Sequence, residues 1–410
     1  MISVGMDISK GKSMVCMLRP YGEIVRSPYE ITHSEKSMDA FIEQIGQLED
    51  EVRIVMEATG IYHLPVLTRL KEAGLFVSVI NPLTMKKYAS LALRKGKTDK
   101  IDAVRIANYG IDNWFRLTDF SARSENYEEL RQLGRQYACY IEIKISCKQN
   151  LLYLLERTMP GIQQLLRGDR AREVDRDKLS DFAEQYWHYD NIRKRSESCF
   201  ISSYCKWAKK KGYHASESKA KTIYALACNG IPTLPSNTPS TKMLVLEAVR
   251  VLRSINNTLH TILIQMQALA SVLPEYSVVR SMDGVGDVLA PRLIAEIGDI
   301  SRFHNASALI AFAGIDAPPF QSGSFVSTQR KISKRGSSLL RKTGYEIMQC
   351  IRRIKPETSN VFQFMLKKEA EGKPKKVAKI AALNKFLRIY FARVRDCYAL
   401  LPSSPSVGCP

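Results

Sequence analysis

The chain opens Ile2-Ser3-Val4-Gly5-Met6-Asp7-Ile8-Ser9-Lys10-Gly11-Lys12-Ser13-Met14-Val15-Cys16-Met17-Leu18. Two short apolar runs, residues 2–7 and 13–18, flank Lys10-Gly11-Lys12, and a glycine between two such runs predicts a β-hairpin. Tyr21-Gly22 turns the chain again, towards a third strand over residues 23–31. An acid, Asp7, closes the first run.

Outward from this hairpin the pattern changes period. Residues 38–48 repeat at helical spacing, 52–56 form a buried strand, 64–72 a helix, 76–80 a strand, and 83–93 and 103–111 are helical. The order β-β-β-α-β-α-β-α is that of the ribonuclease H-like fold. Beyond residue 120 strand signals fade. Residues 128–156 and 242–273 carry long helical repeats that predict two pairing helices, the second following the Pro232/Pro235/Pro239 cluster. The fold class is therefore α/β plus all-α, divided as 1–120, 121–274 with a basic helical insertion at about 160–240, 275–400, and a frayed tail at 401–410.

The chain has 410 residues, 45% of them hydrophobic and 25% charged, which excludes global disorder or a fibrous repeat. Its charge is unusual: 61 Lys+Arg against 41 Asp+Glu, a net +20, point to a polyanion partner such as nucleic acid. The excess is uneven. Residues 1–115 carry 15 basic and 14 acidic residues, whereas 116–410 carry 46 and 27, so a near-neutral unit is joined to a strongly basic remainder. Nine scattered cysteines with no C-x-x-C pair argue against a disulfide framework or a structural zinc site. With no signal-peptide pattern and no apolar run of membrane-spanning length, the expectation is a cytoplasmic protein without a membrane partner.

Four acids stand where chemistry could use them. Asp7 ends the first strand and Glu57 a later one, in Met56-Glu57-Ala58-Thr59-Gly60; these strands are parallel neighbours in a ribonuclease H-like sheet. Asp99 and Asp102, in Lys97-Thr98-Asp99-Lys100-Ile101-Asp102, are spaced i, i+3 and share one helix face. Singly, Asp99 reads equally as a helix cap and Asp102 as a surface charge. Together they predict a site for Mg²⁺, or Mn²⁺, because clustered carboxylates repel unless hard cations relieve them, and oxygen-only ligands select such ions. Two such ions suit displacement at phosphorus.

In the last region, Gly284-Val285-Gly286 precedes an apolar helix over residues 288–297, a turn that either presents N–H groups to phosphate, as in a helix-hairpin-helix element, or merely packs two helices. Gln321-Ser322-Gly323-Ser324 is then followed by Arg330, Lys331, Lys334, Arg335, Arg341 and Lys342, six basic residues with no acid between residues 323 and 342. A loop serine followed by cations suits attack on phosphorus, although a Ser-Gly pair is also ordinary loop composition. Lys97 and Lys100, beside the third and fourth acids, are placed with the phosphate contacts, as are Gly284 and Gly286. The run Lys209-Lys210-Lys211 reads first as a solvated face.

These motifs, in this order, resemble the DEDD transposases of the insertion-sequence 110 family: Gly5-Met6-Asp7-Ile8-Ser9-Lys10, Met56 to Gly60, Lys97 to Ala103, Gly284 to Asp299, Gln321-Ser322-Gly323 and Ile332-Ser333-Lys334-Arg335-Gly336. The resemblance covers residues 1–120 and about 275–350. It implies a RuvC-like N-terminal domain, a coiled-coil linker and a C-terminal transposase domain. Asp7, Glu57, Asp99 and Asp102 would then be the metal-binding set and Ser322 the nucleophile, with Ser324 a close alternative. It further implies a covalent 5′-phosphoserine intermediate, donor and target DNA, an element-encoded guide RNA, dimers or tetramers, and a prokaryotic nucleoid setting. Lys367-Lys368 and residues 373–376 would join the phosphate contacts. The competing readings are a hydrolytic RuvC-like junction resolvase, a DNA invertase, and a catalytically silent RNA- or DNA-binding regulator.

Overall fold

The computed structural model describes residues 1–90, 98–120, 125–166, 177–317, 321–322, 325–326 and 331–400. The chain divides into two units, Met1–Ala122 and Arg123–Pro410.

In the first unit a five-stranded sheet has the order β3-β2-β1-β4-β5. Its strands are β1 (Ile2–Ser9), β2 (Lys12–Leu18), β3 (Ile24–Thr32), β4 (Val52–Glu57) and β5 (Val77–Ile80). β1 pairs antiparallel with β2 and parallel with β4, which pairs parallel with β5. This is the mixed sheet that the element order predicts. Alternation divides its faces. Ile2, Val4, Met6 and Ile8 join Ile54 and Met56 in a core closed by α1 (Glu35–Gly46) and α2 (His63–Glu72). α3 (Pro82–Ala89) follows β5, and α4 (Asp99–Asp112) covers the other face, packing Ala103, Ile106 and Ala107 on Cys16, Leu18 and Val55.

Among its described residues the second unit is helical apart from one short hairpin. Two helices, α5 (Glu125–Thr158) and the later α11 (Pro239–Ser271), lie side by side in opposite directions. At about 1.5 Å per residue each runs about 50 Å. The sequence places both correctly because their apolar residues recur at helical spacing without proline inside. Between them come α6 (Ile162–Leu166), α7 (Lys178–Tyr186), α8 (Asp190–Arg193), α9 (Glu197–Lys210) and α10 (Glu217–Asn229), a knob with its own aromatic core of Phe182, Tyr186, Tyr189, Phe200, Tyr204 and Trp207. The chain re-enters where it left: the amides of Thr233 and Leu234 donate to the Arg157 carbonyl at 2.8 and 3.1 Å.

A second, separate core holds α12 (Tyr276–Arg280), α13 (Gly286–Ile297), α14 (Ala306–Ala313), α15 (Ser338–Ile354), α16 (Asn360–Ala370) and α17 (Lys375–Ala399) against the other halves of α5 and α11. The hairpin β6 (Gln321–Ser322) and β7 (Phe325–Val326) lies between α14 and α15 in sequence. Inside this core Glu275, 1% exposed, accepts hydrogen bonds from the hydroxyls of Tyr127 and Tyr398, both at 2.6 Å. No described helix is long and apolar enough to cross a membrane.

Candidate active site

β1 and β4 run in register up to the pair Met6 and Met56. Asp7 and Glu57 are the next residues on each, so they are neighbours across a parallel pair whose strands lie about 4.8 Å apart. In-register residues of adjacent strands point to one face; for Asp7 and Glu57 this is the face of Gly5 and Val55, which α4 covers. Both acids are half-buried.

Glycines set how closely α4 approaches. A Cβ on Gly5 would lie 2.3 Å from both the Ala103 carbonyl oxygen and the Ala107 amide nitrogen, and one on Gly110 would lie 2.1 Å from the Ser3 hydroxyl. Ser3 thus stands beside Gly110 and Gly5 beside Ala103 and Ala107, so α4 runs antiparallel to β1. Its first turn, with Asp99 and Asp102, comes down at the end of the sheet where Asp7 and Glu57 sit. The electrostatics agree. Lys12, which opens β2 at that end, has its ammonium pKa raised first by its hydrogen bond to Glu30 and further by the charge of Asp99. Thr98 caps α4 by accepting from the Ile101 amide, so Asp99 stands inside the helix instead of capping it.

The four carboxylates are therefore brought to one end of one sheet face, but not closed into a cage. Among the described residues no three His, Cys, Asp or Glu side chains are grouped to hold a metal ion. Asp102 instead accepts from Arg105 at 2.9 Å. By donor chemistry the set fits a hard divalent cation, since every donor is a carboxylate oxygen and neither Cys nor His is among them. Arg105 holds the charge that an ion would otherwise neutralise.

Near the second set of motifs, β6 and β7 pair Ser322 with Phe325, placing Ser322 at the tip of a hairpin. Ser324, Lys97 and Arg330 lie outside the described residues. The base of the hairpin is tied by backbone bonds: Ser333 N–H donates to Asp316 O at 2.8 Å, Lys334 N–H to Gly314 O at 3.0 Å and Ser337 N–H to Phe312 O at 2.7 Å. The Ser333 hydroxyl also donates to the Asp316 carboxylate. Gly336 is required here, because a Cβ would meet the Phe312 carbonyl oxygen at 1.9 Å.

Of the basic residues around this loop, Lys331, Lys334 and Arg335 are exposed, as is Lys100 in α4. Arg341 turns inward and donates to the carbonyls of Ala313 and Gly336 at 3.0 and 3.1 Å, so it braces the loop. Lys342 pairs with Glu142 at 3.7 Å. Gly284, with φ +76°, packs on α15, where a Cβ would lie 2.6 Å from Ile351, whereas Gly286 is exposed at the start of α13. Sequence reading missed Arg105, Asp316 and Ser333 as site residues. Arg105 had a signal in its i, i+3 spacing from Asp102; the Asp316 and Ser333 contact spans 17 residues and leaves none.

Two family models match the chain: residues 4–160 match that of the IS110-type DEDD transposases, described as "Transposase", and residues 276–363 match "Transposase IS116/IS110/IS902 family". The pilin gene-inverting protein of Moraxella lacunata is 24% identical over 400 residues, covering 96% of this chain and 95% of that protein. The insertion element IS110 uncharacterized 43.6 kDa protein of Streptomyces coelicolor is 21% identical over 395 residues, covering 96% and 94%. Alignments this long take in the helical knob as well, so the knob is not an extra length relative to these proteins. Among solved structures, Thermus thermophilus RuvC matches with 13% identity and a TM-score of 0.23, covering 29% of this chain and 98% of that one.

Proposed function

The chain belongs to the IS110 family of transposases, enzymes that cleave and rejoin DNA, and from that premise we propose a recombinase that works through a serine ester and is directed by an element-encoded guide RNA. The observation that carries the reading is the placement of Asp7 beside Glu57, with Asp99 and Asp102 opening the helix that covers the same face. Asp7, Glu57, Asp99 and Asp102 would hold Mg²⁺. The bound ion would supply polarisation of the phosphate oxygens and stabilisation of charge on the departing oxygen.

The protein's own residues supply the rest. The Ser322 oxygen attacks phosphorus, an Oγ–P bond forms as the P–O3′ bond breaks, and the DNA is left with a free 3′-hydroxyl and a 5′-phosphoserine link. Attack by a 3′-hydroxyl from another strand reverses the step, releases the serine and reseals the backbone with no external energy source. The Asp316 and Ser333 clamp holds the base of the loop that presents Ser322. Lys331, Lys334 and Arg335 are exposed beside it to hold non-bridging oxygens. Donor and target DNA and the guide RNA account for a net charge of +19 beyond residue 115. Joining two DNA partners calls for a dimer or tetramer, with α5 and α11 offering a long helical stalk for a coiled coil.

A second reading, inversion of a DNA segment in place of transposition, is favoured by the similarity to pilin gene-inverting proteins. It uses the same chemistry. The deciding experiment incubates the protein with Mg²⁺, guide RNA and matching DNA, then examines denaturing gels and peptide masses for wild type, Ser322→Ala and Asp7→Ala. The expected result is a DNA adduct on the Ser322 peptide, lost in both variants. Cleavage without an adduct, unchanged in Ser322→Ala, would move the assignment to a hydrolytic resolvase.

A further inference from the structure

Two lysine runs in the second unit look alike in sequence and sit at opposite ends of their helices. Lys209 and Lys210 lie in the last turn of α9, where the helix macrodipole favours cations, so local electrostatics accounts for them. Lys375 and Lys376 begin α17, whose first turn has no acidic residue and whose N-cap, Pro374, makes no side-chain cap hydrogen bond. There the macrodipole disfavours cations. Nothing in the fold rewards that placement.

The surrounding surface deepens the imbalance. Between residues 366 and 380 the hairpin of α16 and α17 carries Lys367, Lys368, Lys373, Lys375, Lys376 and Lys379 against two acids, Glu369 and Glu371. Glu369 is taken by Arg352 of α15. Glu371 accepts from Lys368 at 2.7 Å, and its carboxyl is held below the usual range first by that bond and then by the charges of Lys368, Lys367 and Lys373. Lys367, Lys373, Lys375 and Lys376 are exposed and make no ion pair among the described residues. Residues 366–380 contain no aromatic side chain, and the ring next to them in sequence, Phe364, has Lys368 and Lys385 over it at 5.3 and 5.0 Å. No free aromatic face is offered for stacking an unpaired base, which single-strand binders need.

We infer that the tip of the α16 and α17 hairpin is a docking surface for the phosphate backbone of duplex DNA, gripped by Lys367, Lys373, Lys375 and Lys376 without reading bases. Both family models end before these lysines, the second at residue 363. The inference rests on the recombinase reading for its choice of DNA as the polyanion. A surface made of lysines alone positions a duplex and adds to affinity uniformly across sequences.

The test uses the full chain with Lys373→Gln, Lys375→Gln and Lys376→Gln combined, titrated with a 30-base-pair DNA duplex and an RNA duplex of the same length at several salt concentrations. Each lost phosphate contact lowers the slope of log affinity against log salt by about 0.9. The expected result is a slope for DNA smaller by about two to three, with weaker binding at low salt. The thermal midpoint should stay unchanged or rise, since removing cations from a helix start relieves an unfavourable dipole interaction; this reading separates lost contact from lost fold. An unchanged DNA slope overturns the inference, and so does a loss confined to the RNA duplex. Failure of the recombinase reading shows differently: wild type then binds duplex DNA steeply but forms no serine adduct at saturating DNA.

Discussion

A Cβ placed on Gly110 would stand 2.1 Å from the hydroxyl oxygen of Ser3, so α4 lies on β1 with no room for a methyl group. That closeness aims the first turn of α4 at the end of the sheet. Gly5→Ala should do more damage than Gly110→Ala, because the first meets backbone atoms of Ala103 and Ala107, whereas the second meets only side chains, the Ser3 hydroxyl, which can turn, and Val55 Cγ2 at 2.9 Å. Overpacking of this kind costs about 1–3 kcal/mol. Calorimetry should show a larger drop in unfolding midpoint for Gly5→Ala, and strand cleavage should fall further than DNA binding. Equal effects on cleavage and binding would separate α4 from the chemistry.

Arg105 competes with any divalent ion for Asp102. Both side chains are partly exposed, so the pair contributes at most about 1 kcal/mol. Arg105→Ala should tighten Mn²⁺ binding by up to about fivefold, read by the loss of the free-ion paramagnetic signal on titration, and Asp102→Asn should weaken it. Tighter binding in Asp102→Asn would remove that residue from the ligand set.

The Asp316 acceptor holds Ser333 at the base of the hairpin. Asp316→Asn keeps an oxygen acceptor and Asp316→Ala does not. The Ala variant should lose about 0.5–1.5 kcal/mol of local stability, seen as faster hydrogen exchange at the Lys334 amide, and should form serine adduct more slowly at unchanged DNA affinity. Rescue by Asn is expected. Equal slowing in both variants would point to the carboxylate charge rather than the clamp.

Alkaline pH should loosen the second unit. Burial, then the Glu275 hydrogen bond, raise the phenol pKa values of Tyr127 and Tyr398 well above their ordinary value of about 10. Their folded pKa values exceed the unfolded ones, so the stabilisation is complete below pH about 10 and is lost as pH climbs towards the folded values. Near-ultraviolet circular dichroism should show the unfolding midpoint falling above pH 10, less steeply in Tyr127→Phe with Tyr398→Phe. A midpoint that rises with pH would contradict the assignment.

Much of this architecture was legible in the residues. The β1 and β2 hairpin follows from apolar runs about a glycine, and α5 and α11 from long helical spacing. The start of α4 was less clear: its apolar repeat begins at Ala103, but Thr98 caps a further turn of polar residues, and periodicity cannot see a turn with nothing to bury. The knob helices read in the sequence only as a basic helical stretch, although Phe182, Tyr186 and Tyr189, and Phe200, Tyr204 and Trp207, recur at helical spacing; what the spacing does not carry is that these two stripes face each other and the ends of α5 and α11. Arg341 shows a different limit. Its position near the loop was legible, but not that its guanidinium braces carbonyls, since composition carries no direction.

The re-entry of the chain at Arg157 has an engineering consequence. Because Thr233 and Leu234 bond the carbonyl of the residue next to the last of α5, the 70-odd residues of the knob form a closed excursion whose two ends already touch. A loop with adjoining ends can be exchanged for a short turn or a foreign domain at little entropic cost. That junction is a graft point at which a tag, a tether or a foreign domain could be spliced in, provided the insert covers Leu151, Leu155, Val245 and Val249, which the ends of α5 and α11 bury against the knob, while the core that holds α12 to α17 stays separate.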